Sequence, residues 1–401
     1  MSQKKTVYSM STFIGETMIG LPSPVFIDIH YPILINQPPV TLITGQPGSG
    51  KTFLGLTLAA HSSALGKLTV ILDPKGDFIA LKNLEKHGYL KDVKIWSILN
   101  SNNEINIQNI GMLDPLNLTE KVDENISTTM DAINSLVKGG LSASQTNLLQ
   151  PLLRDEVKEA FPSLTNVIRK IKSEKDDEVR SLAYKLETIL NLTIASLLLS
   201  STKVKNDPPN LDSGTIVVSL MGLDLPTPDK LESEYSNEER LSVVIMTLLT
   251  RMILTVLRKK PKTTFKSLFV DEAWVVFSSP AGRAMLTSVG LLGRSLNMAT
   301  VLLTQSPTHI QTEKNESKLD TSISTRFVFS SRSMEDNSLN CANLGLPVGI
   351  GWEDEIKGLQ TGECILKDCR ESIAVMRVIT DPFWAKAFNT KPEPEKKEKV
   401  A

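Results

Sequence analysis

Cysteine is scarce in this chain of 401 residues: Cys341, Cys364 and Cys369 are the only three, odd in number and without CxxC spacing. That usage excludes a disulfide scaffold and a cysteine-ligated zinc site, and it suits a reducing compartment. The four histidines, His30, His61, His87 and His309, are too scattered to form a metal-ligand motif. Excess charge of either sign is also missing, with 44 Lys and Arg against 45 Asp and Glu. No general polyanion-binding surface follows from such a balance, although a local basic patch can hide within it. A long apolar run is absent too. The most apolar stretch, Leu241 to Leu257, is interrupted by Arg251 and falls short of the ~20 residues a membrane span needs. Its residues Leu241, Val244, Ile245, Leu248 and Met252 make one stripe of a core-facing helix. The opening MSQKKTVYSM is basic but has no apolar signal-peptide core. The expectation is a protein with no transmembrane segment and no export signal.

What is present is a 41% hydrophobic content, enough for a sizeable core and too much for a disordered chain. Residues 21–44 read as extended, ending in the apolar run VTLIT. Further strand signals are KLTVILD (67–73), VKIWSI (93–98), TIVVSL (215–220), SLFVD (267–271), ATVLLT (299–304), RFVFSS (326–331), ECILK (363–367) and SIAVMRV (372–378). Strands alternating with helices predict an α/β fold with a mostly parallel sheet. Between about 120 and 206 the pattern turns helical, with one stripe at Val179, Leu182, Leu186, Ile189 and Leu190 and another at Leu141, Leu148, Leu149 and Leu152. Ser236 and Glu239 have capping-box spacing ahead of the helix that contains Leu241. The expected division is an extended lead-in over 1–40, an α/β domain over 41–119 and 207–385, an all-α insertion over 120–206, and a disordered charged tail over 386–401.

The sharpest motif is Gly45-Gln46-Pro47-Gly48-Ser49-Gly50-Lys51-Thr52, a complete GxxxxGK[ST] between a strand and a helix opening at Phe53. Glycines let backbone N–H groups wrap a phosphate, and the helix points its positive end at the same anion. Lys51 would meet the β- and γ-phosphates of ATP, and the Thr52 hydroxyl would bind Mg²⁺. A magnesium–phosphate site also needs a carboxylate at the tip of a neighbouring strand. KSLFVDEAW offers Asp271 as that metal ligand and Glu272 as the base for the attacking water. In ATVLLTQSP, Gln305 ends a strand where its amide could touch the γ-phosphate or that water. Positive charge on the transferring group could come from Arg283, Arg294 or Arg326. Arg294 is preferred, and such an arginine usually comes from a neighbouring subunit of a ring. Trp274 reads as core packing, and the KKPK run at 259–262 as a solvated helix end.

Taken together, the motifs resemble the HerA–FtsK superfamily of RecA-like ring motors. Within it they are most similar to the TraC/VirB-type mating-pair-formation ATPases of conjugation and type IV secretion. The matching stretches are FIGETMIG and PVFIDI ahead of the P-loop, GQPGSGKT, LDPKGDF (72–78), DPLNL (114–118), SGTIVVSLMGL (213–223), LFVDEAW (268–274), RSLNMATVLLTQSP (294–307) and LQTGECILKD (359–368). The resemblance implies nucleotide-binding roles for Lys51, Thr52, Asp271 and Glu272, a sensing role for Gln305, and an arginine in trans at Arg294. It also places acidic residues, Asp73 and Asp77, at the end of the second strand, where they either reach nucleotide or stabilise the loop. It implies a ring oligomer, expected as a hexamer, partnered with secretion-channel proteins at the inner face of the membrane. DNA or a relaxase–DNA complex is the alternative partner, as for HerA and coupling-protein motors. Relatives usually carry a substantial N-terminal docking domain, whereas about 40 residues precede the P-loop here. The expectation is either a motor domain by itself or a compact variant of the family.

Overall fold

A computed structural model describes residues 11–100, 104–200, 211–227, 230–310 and 320–388. The expected tail beyond 388, and residues 201–206 of the expected insertion, lie outside the described residues.

Apolar runs in this sequence become strands buried on both faces, as parallel sheets require. Eleven strands form one sheet: β1 (Thr12–Thr17), β2 (Pro24–Ile27), β3 (Val40–Thr44), β4 (Leu68–Asp73), β5 (Val93–Ser97), β6 (Thr215–Ser219), β7 (Lys266–Val270), β8 (Met298–Thr304), β9 (Ile323–Phe329), β10 (Glu363–Lys367) and β11 (Ile373–Val378). Their spatial order is β2-β1-β11-β10-β9-β3-β8-β7-β4-β6-β5. The seven strands from β9 to β5 are mutually parallel, so their carboxyl tips line one edge of the sheet. The other four continue the sheet as an antiparallel wing.

Alternate residues of each strand feed two different cores, as the period of two demands. On one face, Leu42, Leu72, Val218, Val270 and Leu302 pack with the helix Asn237–Lys259. On the other, Ile43, Ile71, Val217, Phe269 and Leu303 pack with the helix Lys51–Ala64. The Asn237–Lys259 helix is long and apolar enough to cross a membrane, yet most of its apolar window is buried in this core. Its start is the expected capping box: Glu239 N–H donates to Ser236 Oγ at 3.2 Å, and Ser236 N–H donates to Glu239 Oε2 at 2.7 Å.

Between β5 and β6 lies the helical block, with helices Val122–Leu136, Ala143–Glu156, Leu164–Lys172 and Asp177–Leu190. Its core is continuous with the sheet face, since Ile133, Leu149 and Leu182 belong to the same buried cluster as Val70 and Leu248. The DPLNL segment explains the junction. Asp114 is fully buried and accepts from Leu116 N–H (3.1 Å), Leu164 N–H (3.0 Å) and Ser200 Oγ (2.6 Å). One carboxylate thus ties the start of the block to its third helix and to its end. Asp114→Ala would leave buried donors unpaired, at a cost on the order of 2–4 kcal/mol. Urea denaturation followed by circular dichroism should show the loss as a lower midpoint.

The expected extended or β lead-in over 1–40 contains two strands that join the main sheet. Residues 12–27 form β1 and β2, and β1 pairs with β11 from the far end of the chain. Such pairing across more than 350 residues leaves no local pattern to read.

Candidate active site

Four neighbouring parallel strands, β3, β8, β7 and β4, deliver their carboxyl tips side by side. The P-loop follows β3, Gln305 follows β8, Asp271 and Glu272 follow β7, and β4 ends at Asp73 with Lys75 just beyond. Ligands of open α/β sheets bind at this edge. The charges of Glu272, Lys75 and Asp271 all act on Lys51, so segments 220 residues apart in sequence meet at one place.

The loop Gly45–Gly50 has little freedom. Gly45 and Gly50 have φ of +149° and +111°. A Cβ on Gly45 would fall 2.6 Å from the Phe329 Cβ, and one on Gly50 3.0 Å from the Gly362 nitrogen. Gln46 N–H donates to Ser330 O at 2.8 Å, Gly362 N–H to Ser49 O at 2.8 Å, and Thr361 Oγ1 to Gly48 O at 3.2 Å. The loop is therefore clamped between the end of β9 and the turn before β10, which gives the late LQTGE segment a role that its sequence alone did not disclose. Lys51 Nζ donates to Gly45 O (2.5 Å) and Gln46 O (3.0 Å), so the ammonium lies inside the loop's own curve. Burial lowers its pKa to about 8, against the attraction of Glu272.

Glu272 is the hub of the acidic side. Its backbone has φ of +49°, a left-handed conformation that a residue with a side chain adopts at some cost and that concentrates at functional sites. Its carboxylate is paired with Lys75 and accepts from Trp274 Nε1 at 2.7 Å and from Gln305 Nε2 at 3.3 and 3.4 Å. Burial pushes the Glu272 carboxyl up, but Lys75, Trp274 and Gln305 outweigh it and hold the group below the usual carboxylate range. Trp274 is buried in the core, as expected, and also serves this carboxylate. In the sequence Lys75 is marked only by its place in LDPKGDF, just past a strand tip.

Asp271 is buried, and its Oδ2 has no hydrogen-bond partner among the described residues. Burial, reinforced by the negative Glu272, pushes its carboxyl up to about 7. An orphaned, reluctantly ionised acceptor beside a phosphate-binding loop fits a Mg²⁺ ion, which takes one or two carboxylates plus phosphate and hydroxyl oxygens. Thr52, in the first turn of the helix at Lys51, is the residue that would supply such a hydroxyl. Ser49 Oγ is likewise buried with no partner among the described residues.

Asp73 resolves the alternative left open for it. Its Oδ1 accepts from Gly76 N–H (2.8 Å) and Asp77 N–H (3.1 Å), and its Oδ2 from Phe78 N–H (2.9 Å). It braces the loop that carries Lys75. The arginines are not gathered at the cluster. Arg294 lies ahead of β8, at the opposite end of the sheet from the P-loop, where Nη1 donates to Asn36 O at 3.0 Å. The seven residues of β8 separate it from Gln305, a span of roughly 20 Å. Arg283 Nη1 donates to Phe277 O at 2.7 Å, and Arg326 sits mid-strand opposite Leu42. Arg332, which the sequence reading passed over, is exposed two residues beyond Ser330 at the P-loop end.

A nucleotide-binding loop at the tip of a central parallel strand, with acidic and polar tips on the adjacent strands, defines a RecA-like P-loop ATPase fold. Residues 35–388 match the model of the AAA-like domain, and the chain belongs to that family. Among solved structures, VirB4 of Thermoanaerobacter pseudethanolicus is similar with a TM-score of 0.71 at 16% identity, covering 93% of this chain and 97% of that one. The bacterial conjugative coupling protein TrwB, lacking an N-terminal segment, is similar with a TM-score of 0.59 at 14% identity, covering 92% and 96%. TrwB in complex with the non-hydrolysable GTP analogue GDPNP gives 0.55 at 16% identity, covering 91% and 89%. The chain thus shares its fold with VirB4 and with the coupling protein TrwB. A curated relative, the uncharacterised protein YddE of Bacillus subtilis (strain 168), is 20% identical over 369 residues. The match takes in 85% of this chain but only 42% of the length of YddE.

Proposed function

We propose that this chain is a Mg²⁺-dependent ATP hydrolase that powers conjugative transfer or type IV secretion, acting as a ring of identical subunits. The observation that carries the reading is the convergence of Lys51, Asp271, Glu272 and Gln305 at adjoining carboxyl tips of one parallel sheet.

In this reading the P-loop N–H groups and Lys51 hold the triphosphate, and Thr52 and Asp271 hold Mg²⁺. The metal, when bound, neutralises charge on the β- and γ-phosphate oxygens. Glu272 accepts a proton from a water whose oxygen bonds to the γ-phosphorus, while the bond from that phosphorus to the β–γ bridging oxygen breaks and ADP leaves. Gln305, already bonded to Glu272, orients the same water. Arg294, given its place at the far end of the sheet, could serve only the site of a neighbouring copy. The motor comprises 41–119 and 207–385, with 120–206 as its helical subdomain. The proposed location is the cytoplasmic face of the membrane, reached through channel partners.

A DNA-pumping role is the second reading, favoured by the similarity to TrwB, a coupling protein. One measurement separates the two: ATP turnover across protein concentrations, with and without DNA, at two ionic strengths. For the secretion motor, specific activity rises with concentration as rings assemble, and DNA changes it little. Strong DNA stimulation that collapses with salt would favour the pump. Absence of turnover at every concentration would remove both.

A further inference from the structure

An ionised carboxylate offers about four lone-pair sites on its two oxygens. Each Glu272 oxygen already receives two contacts, one of them shared from the single Gln305 Nε2 nitrogen. Oε1 faces Lys75 and Gln305, and Oε2 faces Trp274 and Gln305. A water that is to lose its proton to this group must first donate a hydrogen bond to one of those oxygens. One of the present partners must therefore withdraw before the base can work.

The partners differ in their freedom to do so. Trp274 is buried in the core, and its indole sits two residues from Glu272 in the same turn. Gln305, partly buried just past β8, reaches both oxygens at 3.3 and 3.4 Å and shares in orienting the water. Lys75 alone is half-exposed, its side chain 50% accessible against 7% for Glu272. It stands on the loop between β4 and the short helix Asp77–Ala80, followed by Gly76 at φ +84°. Asp73 staples the backbone of that loop, so the lysine can leave by side-chain rotation while its main chain stays in place.

Resting on the hydrolase reading above, we infer that Lys75 is a latch on Glu272. It is a positioning residue that occupies Oε1 and keeps the base from the attacking water until a competing anion draws the ammonium away. A triphosphate beside Lys51 is an anion of that chemistry within the same cluster.

The test is steady-state turnover of Mg²⁺-ATP by the full chain and its Lys75→Met, Lys75→Gln and Lys75→Arg variants, with nucleotide affinity measured separately by a fluorescent ATP analogue. Loss of a half-exposed ion pair should raise kcat roughly fivefold in the Met and Gln variants, with KM and affinity unchanged. Arginine, which restores the charge, should return the wild-type rate. A merely structural lysine would not raise kcat, and a phosphate-binding lysine would raise KM. Equal or slower turnover in both neutral variants beside an active wild type overturns the latch alone. No turnover in any of the four proteins removes the hydrolase reading and the latch together.

Discussion

Glu272→Gln should bind Mg²⁺-ATP with near wild-type affinity and turn it over 10²- to 10⁴-fold more slowly, the usual contribution of a general base. The substitution isolates the chemistry because little else changes. Gln has the volume of Glu, meets the same left-handed backbone at φ +49°, and keeps an oxygen able to accept from Trp274 Nε1 or Lys75. What it lacks is a carboxylate able to take a proton. Single-turnover quench-flow with radiolabelled ATP would separate this from slow product release, since only loss of the base depresses the chemical step itself. Wild-type turnover in the variant would place the base elsewhere. Asp271→Asn makes the complementary case. Its effect should fall on the Mg²⁺ concentration needed for half-maximal rate, because its orphaned oxygen is proposed to meet the metal rather than the water.

The parts of this site that were legible in the sequence are those with a local physical signature. GQPGSGKT announces itself through glycine spacing, and the strand ahead of it through VTLIT, which is buried at every position. The central parallel strands β3, β4, β6, β7 and β8 read as short apolar runs because parallel strands must be apolar on both sides. The capping box at Ser236 is legible because it closes within four residues. The illegible parts are pairings across long stretches of chain. Lys75 and Glu272 are 197 residues apart, and nothing near LDPKGDF foretells that its lysine closes on the acid after β7. The same holds for the clamp of Thr361 and Gly362 on the P-loop, and for β1 joining β11. Arg294 is legible in the sequence only as a residue ahead of β8; the intervening strand places it and Gln305 at opposite ends of the sheet.

Lys51 should make ATP affinity depend on pH in a direction that its burial fixes. In the free protein its pKa is lowered to about 8, first by burial and against the pull of Glu272. A bound triphosphate stabilises the ammonium and raises that pKa again. Below pH 8 the lysine is protonated in both free and bound states, and affinity is flat. Above pH 8 the free protein has lost the proton that the complex retains, so binding takes up a proton and Kd rises. Each further pH unit should weaken binding by about tenfold until the pKa of the complex is reached. Kd for a fluorescent ATP analogue, titrated at pH 7, 8 and 9 with Mg²⁺ present, reads the slope directly. Lys51→Arg should abolish the slope, because a guanidinium stays charged throughout. Lys51→Ala should lose affinity by 10²-fold or more at pH 7, the order expected when a charge-assisted phosphate contact is deleted from a closed loop. A slope that survives in Lys51→Arg would assign the titration to another group, and unchanged affinity in Lys51→Ala would remove the phosphate from this loop.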